Sequence, residues 1–186
     1  SNSYCSKGLL RRDNNGVLSS HRRMGRKYYT NNMDCTWQIK APSNQMVHLW
    51  LKSLSVEYTR GCGFDRLEVY KTLIPQESDL LARVCGSNTN FRWITNSSGV
   101  AVKFVTDESL TKGGFVMRYA FIDAKRNNEM QSTRKAINDC YSWERLCNDG
   151  SYCIPKEWWC DKIHDCLDDS DENNCSGGGT TCHQTQ

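Results

Sequence analysis

None of the eleven cysteines stands in a Cys-x-x-Cys pair, which removes the spacing that zinc ribbons and thioredoxin-type redox centres need. No apolar run reaches the roughly 18 residues required to cross a bilayer as a helix. No signal-peptide pattern opens the chain; Ser1 stands close to the first cysteine, as expected of a mature or truncated ectodomain. His-Glu-x-x-His and Gly-x-Ser-x-Gly are both missing, which leaves no metalloprotease helix and no hydrolase elbow. The four histidines, His21, His48, His164 and His183, join no catalytic constellation, and the chain is expected not to be an enzyme. His48 falls in an alternating stretch and is expected at the surface. A long amphipathic helix is also lacking.

What is present is cysteine itself. Eleven cysteines in 186 residues read as a disulfide framework made in an oxidising compartment. The length leaves room for one ordinary domain and one small one. Residues 140–175, CYSWERLCNDGSYCIPKEWWCDKIHDCLDDSDENNC, hold six cysteines, and six acidic residues fall in the last 15 positions. Such a segment has too few large apolar side chains for a core and calls for disulfides and a bound cation. Its charge is net −6, whereas residues 1–139 carry 21 basic and 12 acidic residues, a net +9. The opposite signs imply different partners.

From Met46 to Tyr119 apolar and polar residues alternate with period two. Val47, Leu49 and Leu51 alternate with His48, Trp50 and Lys52; Leu67 and Val69 with Glu68 and Tyr70; Val100, Val102 and Phe104 with Ala101 and Lys103; Phe115, Met117 and Tyr119 close the series. This is the pattern of half-buried strands in an antiparallel sandwich. Turn chemistry separates them at Ala41-Pro42-Ser43-Asn44, Gly61-Cys62-Gly63 and Lys112-Gly113-Gly114. The expected organisation is all-β: a sandwich over 1–121, a linker over 122–139, a disulfide module over 140–175 and a flexible tail over 176–186. The polar segment 122–139 also admits a short helix around 128–137.

The stretches Gly16-Val17-Leu18-Ser19-Ser20, Tyr29-Thr30-Asn31-Asn32-Met33-Asp34-Cys35-Thr36-Trp37, Cys62-Gly63-Phe64-Asp65-Arg66-Leu67-Glu68-Val69-Tyr70, Cys85-Gly86, Ser97-Ser98 and Gly114-Phe115, in this order, resemble the CUB domain, an extracellular β-sandwich, over about residues 5–121. The resemblance implies the disulfides Cys5–Cys35 and Cys62–Cys85. It also implies a calcium site made by Glu57, Asp65 and Asp107 with a backbone carbonyl near Ser109, where Leu110 replaces the usual asparagine; Tyr29 would support the glutamate. Three carboxylates suit a hard cation that takes six to eight oxygens. In this family such a site often captures a partner's lysine or arginine. Ser19-Ser20-His21 departs from the family's usual Ser-Pro.

Residues 140–175 resemble the LDL-receptor class A module, through Cys153-Ile154-Pro155, Trp158, Cys160-Asp161, Asp165-Cys166, Asp168-x-Ser170-Asp171-Glu172 and Cys175. The resemblance implies the pairs Cys140–Cys153, Cys147–Cys166 and Cys160–Cys175. It further implies a Ca2+ cage of side-chain oxygens from Asp161, Asp165, Asp171 and Glu172 and backbone carbonyls of Trp158 and Ile163, with Asp168 bracing the loop. Ligand capture in the family uses the indole at the Trp158 position with nearby acids, here Asp161 and Asp165, around a partner lysine. Ile163 stands where strong ligand-binding modules add an acid, which leaves packing of Trp158 and Trp159 on the first domain or the linker as an equal reading.

Arg11, Arg12, Arg22, Arg23, Arg26 and Lys27 make an early basic cluster, a heparan sulfate patch or a solvated loop. Nucleic acid is disfavoured by the oxidising compartment and the lack of an aromatic stacking platform. Cys182 is the odd cysteine, available for an interchain bridge and a dimer or left over from a longer chain. Asn96-Ser97-Ser98 is a glycosylation acceptor. The order of one CUB domain and one class A module resembles the nematode neuroblast-migration guidance receptor and the CUB-containing LDL-receptor-related proteins. It implies the calcium-dependent, protein-binding ectodomain of a single-pass cell-surface receptor or co-receptor in cell migration, anchored outside this sequence. The alternatives are the non-catalytic arm of a modular serine protease and a synaptic receptor-clustering scaffold.

Overall fold

The computed structural model describes residues 10–21, 27–88, 91–133, 135–136 and 138–175. Cys5, Arg22, Arg23, Arg26 and Cys182 therefore lie outside the described residues. The chain divides into two compact units, Ser1–Thr133 and Arg134–Gln186.

The first unit is a sandwich of two sheets. One sheet has the order β1 (Leu10–Arg11), β3 (Asp34–Lys40), β9 (Gly99–Val105), β5 (Arg66–Tyr70), β6 (Leu80–Val84). The other has β2 (Asn15–Ser19), β10 (Gly114–Asp123), β4 (Gln45–Val56) and β7 (Gly86–Asn88), with β8 (Phe91–Ile94) also paired to β4. The expected antiparallel pattern holds everywhere but one place: β1 runs parallel to β3, Leu10 opposite Gln38. The chain can return in the same direction because β2, between them in sequence, belongs to the opposite sheet.

The alternating apolar residues point inward. Val47, Leu49 and Leu51 meet Leu67, Val69, Val102 and Phe104 in one core. Phe104 lies edge-on to both Tyr29 and Phe115, with ring centroids 5.3 and 5.2 Å apart. The intervening residues of β4 depart from expectation. His48 and Trp50 stand on the outward face, yet they are 2% and 1% exposed. Helix α1 (Ala124–Ser132) packs on β10, β4 and β8 and covers this face. Asp123 caps it, accepting a 2.8 Å hydrogen bond from the Arg126 amide. Met130 and Asn127 are its buried residues, and Asn127 Nδ2 donates to Asn96 Oδ1 at 3.0 Å. The segment 122–139, read as a linker or as a short helix around 128–137, thus contains the end of β10 and a packed helix that begins four residues earlier. Its single buried apolar side chain is too weak a periodic signal to announce it.

Burial and the charge of Arg92 lower the His48 pKa to about 3, so the surface position expected for this histidine is corrected to an interior one. The neighbouring Trp50 ring carries the Lys52 ammonium at 3.9 Å and the Arg92 guanidinium at 4.3 Å.

The second unit has little regular structure. The hairpin β11 (Glu144–Leu146) and β12 (Cys153–Pro155) is followed by one 3-10 turn, Lys156–Trp158. Cys140–Cys153, Cys147–Cys166 and Cys160–Cys175 are formed with separations of 13, 19 and 15 residues. By the chain-entropy account, loops of this size each remove about 3 kcal/mol of unfolded-state freedom. In the first unit Cys62–Cys85 is formed; Cys35 is also disulfide-bonded, and Cys5, its implied partner, is not among the described residues.

Candidate calcium centres and interaction surface

Three strand ends build the first acidic centre. Glu57 follows β4 directly, Asp65 precedes β5, and Asp107 lies two residues beyond β9. Because Arg66 of β5 pairs with Val105 of β9, Asp65 and Asp107 emerge side by side, and the Asp107 amide donates to Asp65 Oδ1 at 2.7 Å. The buried Tyr29 hydroxyl donates to Asp65 Oδ2 at 2.5 Å and accepts from the Glu57 amide at 3.3 Å. Tyr29 therefore supports the glutamate through its backbone and the aspartate through its side chain. The Ser109 amide donates to Asp107 Oδ1 at 2.9 Å. Oxygens of Glu57, Asp65 and Asp107 all lie within 4.8 Å of one another.

The electrostatics of this trio are unfavourable as they stand. Desolvation, then the charges of Asp107 and Asp65, push the Glu57 acid above the usual carboxylate range, with Lys112 partly offsetting them. Glu57 Oε2 is buried without a hydrogen-bond partner. Burial and the hydrogen bond to Asp65 push the Tyr29 hydroxyl up as well. A hard divalent cation would resolve both the repulsion and the orphaned oxygen. Cys62–Cys85 staples the turn between Glu57 and Asp65.

In the second unit three of the four acids, Asp161, Asp171 and Glu172, accept hydrogen bonds from backbone amides. Asp171 accepts from Asp165 N at 2.7 Å and Cys166 N at 3.2 Å. Glu172 accepts from Asp161 N at 2.9 Å and Lys162 N at 3.0 Å, and Asp161 from Ile163 N at 3.0 Å. Asp168 braces the loop, accepting from Ser170 N at 3.1 Å. Among the described residues these four carboxylates do not draw together as closely as the Glu57 trio does. Asp165 and Asp171 are buried. Sequence reasoning missed Tyr152, whose buried hydroxyl donates to the Asp165 carbonyl. Burial, then the charges of Asp165 and Asp171, push that hydroxyl up, so the loop is a strongly negative place. Nothing but its position between cysteines marks Tyr152 in the sequence. Cys140, Glu144 and Cys153 also come close together, but the two sulfurs are joined in a disulfide and are not free to bind metal.

The family model "CUB domain" matches residues 5–119. The chain belongs to the CUB-domain family. The model "Low-density lipoprotein receptor domain class A" matches residues 138–175, so a class A module follows the CUB domain. Human membrane frizzled-related protein is 33% identical over 149 residues, covering 80% of this chain and 24% of that protein. The chain thus spans about a quarter of the length of that relative and of its mouse counterpart. A Drosophila cubilin homolog is 35% identical over 99 residues, 51% of this chain and 3% of that protein. Among solved structures, the MASP-1 CUB2 domain bound to Ca2+ superposes with a TM-score of 0.51 at 20% identity, covering 61% of this chain and 97% of that one. CUB and class A modules are non-catalytic, extracellular protein-interaction domains, and that is the coarse function of this region. No helix among the described residues is long and apolar enough to cross a membrane.

Two features of the CUB and class A units differ from the family pattern at the sites themselves. Leu110, where the CUB family usually has asparagine, has φ +53° and is exposed. Leucine is disfavoured in the left-handed region and asparagine tolerates it. Leu110→Asn is expected to raise CUB stability by about 1 kcal/mol, read as a higher denaturation midpoint at unchanged slope; an unchanged or lower midpoint contradicts this. In the class A module Trp158 is buried, and Trp159 is the half-buried indole with the Arg145 guanidinium 3.8 Å above its ring. The indole that resemblance assigns to lysine capture therefore does not face solvent, and its neighbour already holds a cation of the same unit.

Proposed function

We infer that this region is the calcium-dependent protein-binding ectodomain of a single-pass cell-surface receptor or co-receptor. The observation that carries it is the convergence of Glu57, Asp65 and Asp107 around a buried oxygen of Glu57 that has no hydrogen-bond partner. Those three residues would hold Ca2+ in the CUB unit; Asp161, Asp165, Asp171 and Glu172, with the Trp158 and Ile163 carbonyls, would hold it in the class A module. Bound calcium supplies fixed positive charge, which lets the acidic loops keep one shape and present carboxylate oxygens to a basic partner residue. The membrane-named relative that aligns through 80% of this chain supports the receptor reading over that of a protease arm. The further assignment to cell migration and guidance rests on module order alone.

Capture of partners from intact cell surfaces tests this reading. A partner is expected to be retained in calcium and released by chelation, and Asp107→Ala is expected to lose it. Retention that ignores both treatments overturns the assignment of the CUB centre. N-linked glycan at Asn96 is part of the same reading: the side chain is exposed, and its bond to Asn127 uses Oδ1, leaving Nδ2 for the sugar. Ser98→Ala is expected to abolish the glycosidase-sensitive mobility shift of the secreted chain; a wild type without such a shift refutes it.

A further inference from the structure

We propose that helix α1 is an acid-sensitive cover, held closed by the neutral imidazole of His48 beneath it. His48 lies on the outward face of β4, opposite Ala120 of β10 and Ile94 of β8. Asn127 of α1 bonds Asn96, two residues past Ile94, so the helix is anchored beside the histidine, and His48 is buried. Its Nε2 has no hydrogen-bond partner, and neither does Asn127 Oδ1.

The charges around it are cationic. β8 contributes Arg92, which opposes protonation of His48 directly. β10 contributes Arg118, buried and opposite Trp50, and β4 itself contributes Lys52. Helix α1 carries Lys125, Arg126 and a single carboxylate, Glu129, after its Asp123 cap. The buried acids among the described residues, Glu57, Asp65, Glu68, Glu144, Asp165 and Asp171, all lie outside these elements. An imidazolium at His48 would be a buried cation among cations, and such a charge is relieved only by reaching water.

The sign follows from linkage. Closed, the imidazole titrates at about 3; with α1 lifted it returns to the ordinary value near 6.5. Protons therefore bind the open form. The cover is at full strength above about pH 6.5 and weakens as pH falls from there toward 3. Between about pH 7.5 and pH 5 the opening constant is expected to rise about 30-fold. Opening uncovers an aromatic and cationic face made of Trp50, Lys52, Arg92 and Arg118.

Hydrogen exchange on the whole chain in saturating calcium tests this, with opening constants corrected for intrinsic exchange at each pH. In the wild type, amides of 124–132 are expected to open about 30-fold more at about pH 5, the rise setting in near pH 6.5 and continuing below pH 5, while β3 and β9 amides keep their protection. In His48→Gln the rise is expected to vanish. A wild-type rise that is absent, spread equally over β3 and β9, or that sets in only in the carboxylate range near 4 overturns the proposal, as does an equal rise in His48→Gln. If that variant does not fold, the pH at which the wild-type rise sets in and its confinement to α1 decide.

Discussion

Replacing Asp107 by alanine is expected to abolish the rise in unfolding temperature that calcium gives the CUB unit. An ion present at about 100 times its dissociation constant adds about 2.7 kcal/mol to the folded state, which for a unit of this size is about 8 °C in Tm. Asp107 supplies one of three converging oxygens, and its removal leaves two carboxylates for an ion that takes six to eight oxygens. Asp107 is also the cleanest place to cut. Asp65 is fully buried and holds both the Asp107 amide and the Tyr29 hydroxyl, so its loss would damage the loops with or without calcium. Asp107 itself holds the Ser109 amide, a contact worth about 1 kcal/mol. Its loss is offset by removing a charge that pushes against Glu57. Calorimetry of the variant with and without chelator reads the difference, and the class A transition, expected to keep its calcium response, is the internal control. A CUB transition that still climbs with calcium would dismiss the ion or displace it to other residues.

The second large effect concerns the end of the CUB unit. A chain ended at Phe121 is expected to be less stable than one ended at Thr133 by about 3 kcal/mol, or about 9 °C in Tm. The shorter chain loses buried Ile122 and Met130 and uncovers Trp50 and His48. Met130→Ala in the longer chain is expected to account for about 2 kcal/mol of this. Equal melting of the two chains would mean that α1 contributes nothing to the unit it covers.

Legibility in the sequence followed the range of the interactions involved. The class A framework is written in cysteine and acid spacing alone, and all three bonds form as the resemblance implies. The inner faces of the strands were legible because period-two alternation is local: Val100, Val102 and Phe104 are fully buried. Glu57, Asp65 and Asp107 could be named through the CUB resemblance, whereas their convergence depends on the pairing of β5 with β9, a contact between residues distant in sequence. His48 and Trp50 were misplaced for the same reason. Alternation assigns them outward correctly, but whether outward means solvent depends on α1, whose residues AKRNNEMQS are nearly all polar. Motif left Trp158 as either a lysine-capturing indole or one packed within the chain; local sequence does not say which of two adjacent indoles will be buried.

The position of α1 has a mechanical consequence. It is the last element of the CUB unit, and the chain passes from it directly into the second unit. Tension transmitted along the polypeptide from the class A side reaches α1 first. The helix is held by Met130, Asn127 and its cap, whereas the strand behind it, β10, is bonded along its length to β2 and β4. A pulling force should therefore peel nine residues of helix before it loads the sandwich. Nine residues lengthen from about 1.5 to about 3.4 Å each on extension, so α1 stores about 17 Å of slack that shields the loops of Glu57, Asp65 and Asp107 from load.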